Sequence, residues 1–247
     1  MYKEKIFLKL PIRYKNLFTI YPPSVNDVVG NDKFLQYRSI LTISQEEIED
    51  RFAEKMPDKK DLKIPTPFEL LLVNSYNSKE FYEIAKEAFY FFTKTEISIL
   101  FDLKVIVIGN LEEELKRIKN IEELKLLKEE DFFDFQNQIR LCIGEEEKEP
   151  PNPNEDPRVK RIKAKARYRD KIKAKQKKGL SLETNLIAIC CMGIGITPLN
   201  IGELSYASIS KLTRTFQEKE KYQMDIDSLL AGAKNIKPKY WIRNLNE

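Results

Sequence analysis

A 21-residue segment, 158–178, carries twelve lysine or arginine residues and a single acid, Asp170. Its net charge is +11 within a chain of net charge +4, so the remaining residues sum to −7. On a helical wheel its few apolar residues form two narrow stripes on opposite sides, and neither is wide enough to bury the helix against a core. The sequence therefore predicts an acidic folded body with one long basic helix, whose charge must meet an acidic partner.

Three acidic partners for the basic helix remain open. They are the acidic remainder of the same chain, an acidic surface of another protein, and the phosphates of a nucleic acid. Dense lysine and arginine predict nucleic-acid binding of low sequence specificity, but only Tyr168 interleaves with the cations as a stacking surface for bases. The cations that we expect to face a partner are Arg158, Arg161, Lys165, Arg169 and Lys173.

The overall composition favours a folded, mainly α-helical protein. Apolar residues make up 42% and aromatic residues 11% of the 247 positions, enough for a hydrophobic core. Only eight glycines are present, which favours helices over a turn-rich β architecture. Charged residues reach 33% but lie in runs, a distribution typical of exposed helices.

Local patterns predict a small β element followed by helices in the N-terminal part. Two short apolar segments, 5–12 and 16–21, predict a hairpin, and 104–108 predicts an isolated strand. An amphipathic helix containing Phe132 and Phe135 is expected to end at Gly144. Further helix starts are predicted by capping signals at Ser44 with Glu47, at Thr66-Pro67-Phe68-Glu69 and at Ser78.

An acidic, proline-rich stretch predicts the main domain boundary. Residues 145–156 contain six acids and three prolines, a composition that neither buries nor forms regular structure. The predicted organisation is a mostly helical N-terminal domain with short strands at 1–144, a linker at 145–157, the basic helix at 158–178 and a C-terminal helical module at 179–247. Within that module we expect a buried helix at 181–192, a helix at 197–216 that starts at Thr197-Pro198, and a separate helix around 225–230.

The residue content argues against enzymatic chemistry. The chain has no histidine, which removes histidine acid–base catalysis, Ser-His and Cys-His nucleophile pairs and every His-ligated metal site. The three cysteines form no CxxC pair and are expected to be small buried hydrophobes of a reduced compartment. No metal, cofactor or catalytic residue is therefore predicted. The longest apolar run, 186–196, has 11 residues, short of the ~20 needed to span a bilayer, so a soluble protein is expected.

One C-terminal motif resembles a known family. Residues 195–206 read Gly-Ile-Thr-Pro-Leu-Asn-Ile-Gly-Glu-Leu-Ser-Tyr, which is similar to the signature of the small helical tail assembly chaperones of tailed bacteriophages. The resemblance covers roughly residues 186–245 and includes the helix, charged stretch and Trp-containing terminal segment that follow the signature. In this chain the terminal segment contains Tyr240 and Trp241, which would form a packing anchor for a partner.

The resemblance implies a non-enzymatic role in the morphogenesis of a phage tail, a baseplate or a phage-tail-like particle. The implied partners are tail proteins such as the tape-measure protein or baseplate subunits, with self-association left open. The implied location is the cytoplasm of the bacterial host during assembly, and retention in the finished virion tail is a second alternative.

A nucleic-acid-binding protein is the alternative function. Residues 186–216 imitate a helix-turn-helix, with a helix, a glycine turn and a second helix of apolar spacing. That segment and the basic helix 158–178 would together contact nucleic acid. The second helix offers only Lys211 and Arg214 near its far end, which is weak support for reading bases.

Overall fold

The computed structural model describes residues 2–55, 64–117, 123–150, 155, 159, 162, 163, 166, 167, 169, 181–234, 236–238 and 240. In this part of the chain the protein is mainly α-helical, with ten α-helices and two small antiparallel sheets, which confirms the predicted fold class. None of the described helices combines the length and the apolar character that a membrane span requires.

The N-terminal part alternates short strands with helices. Its first half contains α1 (Tyr2–Phe7), β1 (Ile12–Tyr14), β2 (Phe18–Ile20), α2 (Val25–Val29), α3 (Phe34–Thr42), α4 (Gln45–Lys55), α5 (Pro67–Asn77) and α6 (Lys79–Thr93). Its second half contains β3 (Ile97–Leu100), β4 (Val105–Ile108), α7 (Leu111–Arg117), β5 (Leu126–Leu127) and α8 (Glu129–Cys142). After residue 181 follow α9 (Leu182–Cys191), a 3-10 turn (Ile201–Glu203) and α10 (Tyr206–Leu230).

Both sheets are antiparallel and contain only short strands. Strand β1 pairs with β2 so that Ile12 lies opposite Ile20, and β4 lies between β3 and β5 in the second sheet. The predicted strand at 5–12 is wrong over most of its length, because α1 extends to Phe7 and β1 begins at Ile12. Of the alternating apolar residues there, Ile6 is buried but Leu8 is 63% exposed. Lys9, with φ 56°, then turns the chain from the helix into the strand.

The predicted helix starts are confirmed where the cap is built from neighbouring residues. The Thr66 side chain accepts the Glu69 N–H while the Glu69 carboxylate accepts the Thr66 N–H, and Pro67 occupies the first turn of α5. Ser44 and Glu47 make the same reciprocal pair before α4. At α6, the Ser78 hydroxyl accepts the N–H of Phe81.

The main core is aromatic and is centred on Phe135 of α8. The ring of Phe135 stacks on Phe89 of α6 with centroids 5.2 Å apart, and the rings of Phe18 and Tyr14 contact it edge-on at 5.3 and 5.9 Å. Phe89 and Phe135 are both completely buried. This cluster joins the first hairpin to the helices α6 and α8.

Gly144 ends α8 and lies against the start of α10. It has φ +80°, and the N–H of Glu145 returns to the carbonyl of Arg140 at 2.8 Å, which is the Schellman geometry expected of a glycine after a helix. A Cβ on Gly144 would approach the Ala207 Cα to 3.2 Å. Residue 144 is therefore both a helix terminator and a contact with the C-terminal part of the chain.

We expect Gly144→Ala to lower the free energy of unfolding by about 2–3 kcal/mol, because the strain of a positive φ adds to a contact with the α10 backbone that cannot yield freely. Gly195→Ala is the matched control, since Gly195 has φ +78° but a Cβ added there would meet no atom within 4 Å. That control should lose only ~1–2 kcal/mol. Equal losses in urea denaturation would contradict the packing of Gly144 on α10.

The C-terminal part differs from its prediction in where the long helix begins. The helix expected from Thr197-Pro198 is wrong, because α10 starts at Tyr206 and then continues unbroken to Leu230. The Asn200 side chain accepts the Thr197 N–H and donates to the Gly195 carbonyl, which closes a turn instead of a helix. The separate helix expected around 225–230 is likewise the end of α10.

Candidate interaction surfaces

The structure describes two of the residues predicted to face a partner. Arg169 is helical and exposed. Tyr240 is 48% exposed, and its ring meets that of Tyr222 in α10 edge-on, with centroids 5.7 Å apart. The other predicted contact residues lie outside the described residues: Arg158, Arg161, Lys165, Lys173 and Trp241.

Two other cations of the basic segment pair with carboxylates of the same chain. The guanidinium of Arg167 donates to Glu46 at 3.1 Å and to Asp50 at 3.3 Å. These acids lie one turn apart on α4, so the planar guanidinium group of Arg167 can contact both. Lys163 pairs with Glu155 at 2.5 Å. The acidic remainder of the chain is thus an observed partner of the basic segment at these two positions.

Removing the Arg167 guanidinium should weaken the contact between the basic segment and α4. We expect Arg167→Gln to lower the free energy of unfolding by about 1 kcal/mol at low salt, because solvent screens this partly exposed contact. Arg169→Gln removes the same charge from the same segment at an exposed position and should change it by less than ~0.5 kcal/mol. The difference should shrink in ~0.5 M salt. Equal free energies of unfolding for the two variants at low salt would contradict a stabilising contact between Arg167 and α4.

The motif at 195–206 docks the C-terminal part onto α2. The Val25 N–H donates to the Leu204 carbonyl at 3.0 Å, and the Tyr206 N–H donates to the Pro23 carbonyl at 2.9 Å. Ile201 joins Val25 in a small second core. The second half of the motif, 201–206, therefore contacts the N-terminal part of the same chain.

Helix α9 and the loop after it present an apolar surface. Ile189 is the one buried residue of this ten-residue helix, so the predicted burial of 181–192 is wrong. Helix α9 packs against α10 around the buried Ile189, with Leu182, Leu186 and Cys190 partly buried beside it. Its opposite side is exposed to solvent. Ile187 is 58% exposed, Ile194 53% and Leu199 97%. We name these three side chains the α9 surface.

The start of α10 is covered by the rest of the protein. Its first turn contains the buried residues Ala207 and Ser208, and the Tyr206 ring contacts Phe34 of α3 with centroids 5.5 Å apart. A helix-turn-helix reads bases with the N-terminal residues of its second helix. In this protein those residues face the interior, which argues against that use of 186–216.

The cysteines differ sharply in their surroundings. Cys142 is buried, and desolvation raises its pKa to about 12, whereas Cys190 is half-buried and Cys191 is exposed. At pH 8 a thiol of that pKa is roughly one part in ten thousand thiolate, the reactive form. A thiol reagent should therefore label Cys191 first and leave Cys142 unreacted until denaturant is added. Fast labelling of three thiols in the native protein would contradict the burial of Cys142.

No group of histidine, cysteine, aspartate and glutamate side chains in the described ranges is arranged to hold a metal ion. No family model, no curated protein and no solved structure matches the chain.

Proposed function

We propose that this is a non-enzymatic assembly protein that works through protein–protein contacts made by the α9 surface. The observation that carries the proposal is the exposure of Leu199, Ile194 and Ile187 within one short stretch of chain. Several large apolar side chains exposed within so few residues are typical of sites where another protein binds. A partner that covers them removes apolar area from water, which is the main driving force of association.

The chemistry of the α9 surface selects an apolar partner. Glu183 is the sole charged residue between positions 182 and 200. Ion pairing therefore contributes little here, and the complementary surface is an uncharged apolar stripe such as one face of an amphipathic helix. Such a contact should survive moderate salt, unlike one made by the basic segment.

More specifically, we propose a role in phage tail or baseplate morphogenesis. It is supported by the resemblance of 195–206 to tail assembly chaperones, because Ile194 and Leu199 belong to that stretch or adjoin it. The partner would be a tail protein with long helices, such as the tape-measure protein or a baseplate subunit. The meeting place would be the bacterial host cytoplasm, with retention in the virion tail as the second alternative.

Co-purification with a tape-measure protein from the same phage or phage-like element tests the proposal. The wild-type chain should retain it in ~0.3 M salt, while Ile187→Asp and Leu199→Asp should each reduce recovery at least about tenfold, as expected when a charge is buried in an apolar contact. Leu103→Asp is the matched control, because Leu103 is 67% exposed in the turn between β3 and β4. Failure to recover any tail protein, or equal recovery with all three variants, would refute the proposal.

Nucleic-acid binding remains the second candidate, carried by the exposed Arg169 and by the density of cations in 158–178. The pairing of Lys163 and Arg167 with Glu155, Glu46 and Asp50 counts against it, because these cations already have carboxylate partners. A mobility-shift titration with nucleic acid tests this second candidate. Binding that falls by orders of magnitude between ~50 and ~200 mM salt would support it, and no retarded band at ~50 mM would eliminate it.

A further inference from the structure

A polar cleft with a volume of about 260 Å³ opens between α3, α4 and the end of α8. Four cationic side chains and two carboxylates line it, a formal excess of two positive charges. The cations are Arg38, Arg51, Arg140 and Lys148, and the carboxylates are Glu47 and Glu145. This cleft is separate from the α9 surface and shares no residue with it.

Arg140 is the unusual member of the cleft, because only 1% of its surface is exposed. Its guanidinium donates to two neutral oxygens, the Thr42 carbonyl at 2.7 Å and the Asn137 amide oxygen at 2.8 Å. Among the described residues no carboxylate lies within ion-pairing distance of it. A buried cation without an anionic partner is costly.

Each carboxylate of the cleft has a hydrogen-bonding partner other than Arg140. Glu145 is held by Arg38, with a shortest nitrogen–oxygen distance of 2.6 Å, and Glu47 accepts the Ser44 N–H at 3.1 Å as part of the α4 cap. Burial lowers the pKa of the Arg140 guanidinium, and the charges of Glu145 and Glu47 offset this only in part. With four cations against two carboxylates, the cleft keeps a formal excess of positive charge.

We propose that the cleft binds a phosphate-type oxyanion, with Arg140 at its base and Arg51 and Lys148 at its rim. Guanidinium forks match the oxygen geometry of phosphate, and a flexible lysine adds a point charge. The ligand chemistry is a free phosphate or a phosphoryl group carried by a larger molecule. Because the lining residues lie on α3, α4, α8 and the following linker, a bound anion would also tie the linker to the helices.

Isothermal titration of the full chain with inorganic phosphate tests this proposal, at constant ionic strength maintained with chloride. Wild type should bind one phosphate. Arg51→Gln should raise the dissociation constant roughly tenfold, the loss of affinity expected for one charge-assisted contact. Arg13→Gln is the matched control, because Arg13 is an exposed cation of β1 outside the cleft. It should bind phosphate like wild type.

A second titration distinguishes a free phosphate from the phosphate backbone of a nucleic acid. It uses a short single-stranded oligonucleotide without terminal phosphate. Binding of inorganic phosphate alone assigns the site to a small anion, whereas oligonucleotide binding that Arg51→Gln also weakens assigns it to a phosphate backbone. No heat with phosphate at millimolar concentration, or the same affinity in Arg51→Gln and Arg13→Gln, would overturn the proposal. Circular dichroism of each variant separates loss of binding from loss of fold.

Discussion

Replacing Phe135 with alanine is expected to lower the free energy of unfolding by about 3–5 kcal/mol, the loss typical of truncating a fully buried phenylalanine. Phe135 is completely buried and contacts four other aromatic rings with centroids between 5.2 and 6.1 Å. Truncation removes its own burial and also the packing partner of Phe89 and Phe18. The first hairpin, α6 and α8 lose their shared contact at once.

Urea denaturation monitored by circular dichroism measures this loss as a shift in the midpoint at constant slope. Phe7→Ala is the control, because Phe7 is 43% exposed at the end of α1 and should cost ~1 kcal/mol or less. A small domain has about 5–15 kcal/mol of stability in total, so the Phe135 variant should be near the limit of folding. A loss below ~1.5 kcal/mol would show that the aromatic cluster is not the centre of the core.

The parts of the fold that sequence predicted well are those determined by neighbouring residues. The capping pair of Thr66 and Glu69 is complete within four residues, so neighbouring residues alone are enough to predict it. The same holds for Ser44 with Glu47 and for the glycine stop at Gly144. The helical fold class follows from the same local signals, repeated along the chain.

The errors arise where a distant segment decides the backbone. Leu204 is extended, with φ −65° and ψ 150°, because its carbonyl accepts the N–H of Val25 from α2. That contact delays the start of α10 to Tyr206, although Thr197-Pro198 is a sound local helix signal. Sequence also missed β3 and β5, which are only four and two residues long and exist by pairing with β4.

The surfaces were predicted unevenly for a related reason. Charge density predicted the basic segment, but not that Arg167 would contact Glu46 and Asp50 of α4, which are more than a hundred positions earlier. The apolar composition of α9 predicted burial, and the structure shows one buried residue. The apolar composition of a segment indicates how much it would be stabilised by being covered. Whether it is buried depends on whether another part of the chain packs against it.

Replacing Ile189 with aspartate is expected to detach α9 from the protein, at a cost of about 4 kcal/mol or more to the local packing. Ile189 is completely buried and forms the second core with Val25, Ile201 and Ile209. The described residues of that cluster are apolar, so none of them can pair with an ionised carboxylate, and the isoleucine contacts are lost as well. Amide hydrogen exchange should then become fast throughout α9.

Ile187→Asp on the same helix is the decisive comparison. Ile187 is 58% exposed, so its replacement should change the free energy of unfolding by less than ~0.5 kcal/mol and leave amide protection in α9 intact. Because it retains the fold, loss of a partner by this variant reports on the contact itself. If Ile187→Asp unprotected α9 as fully as Ile189→Asp does, the outer side of the helix would be covered by the protein's own chain, and the α9 surface could not be the site where a partner docks.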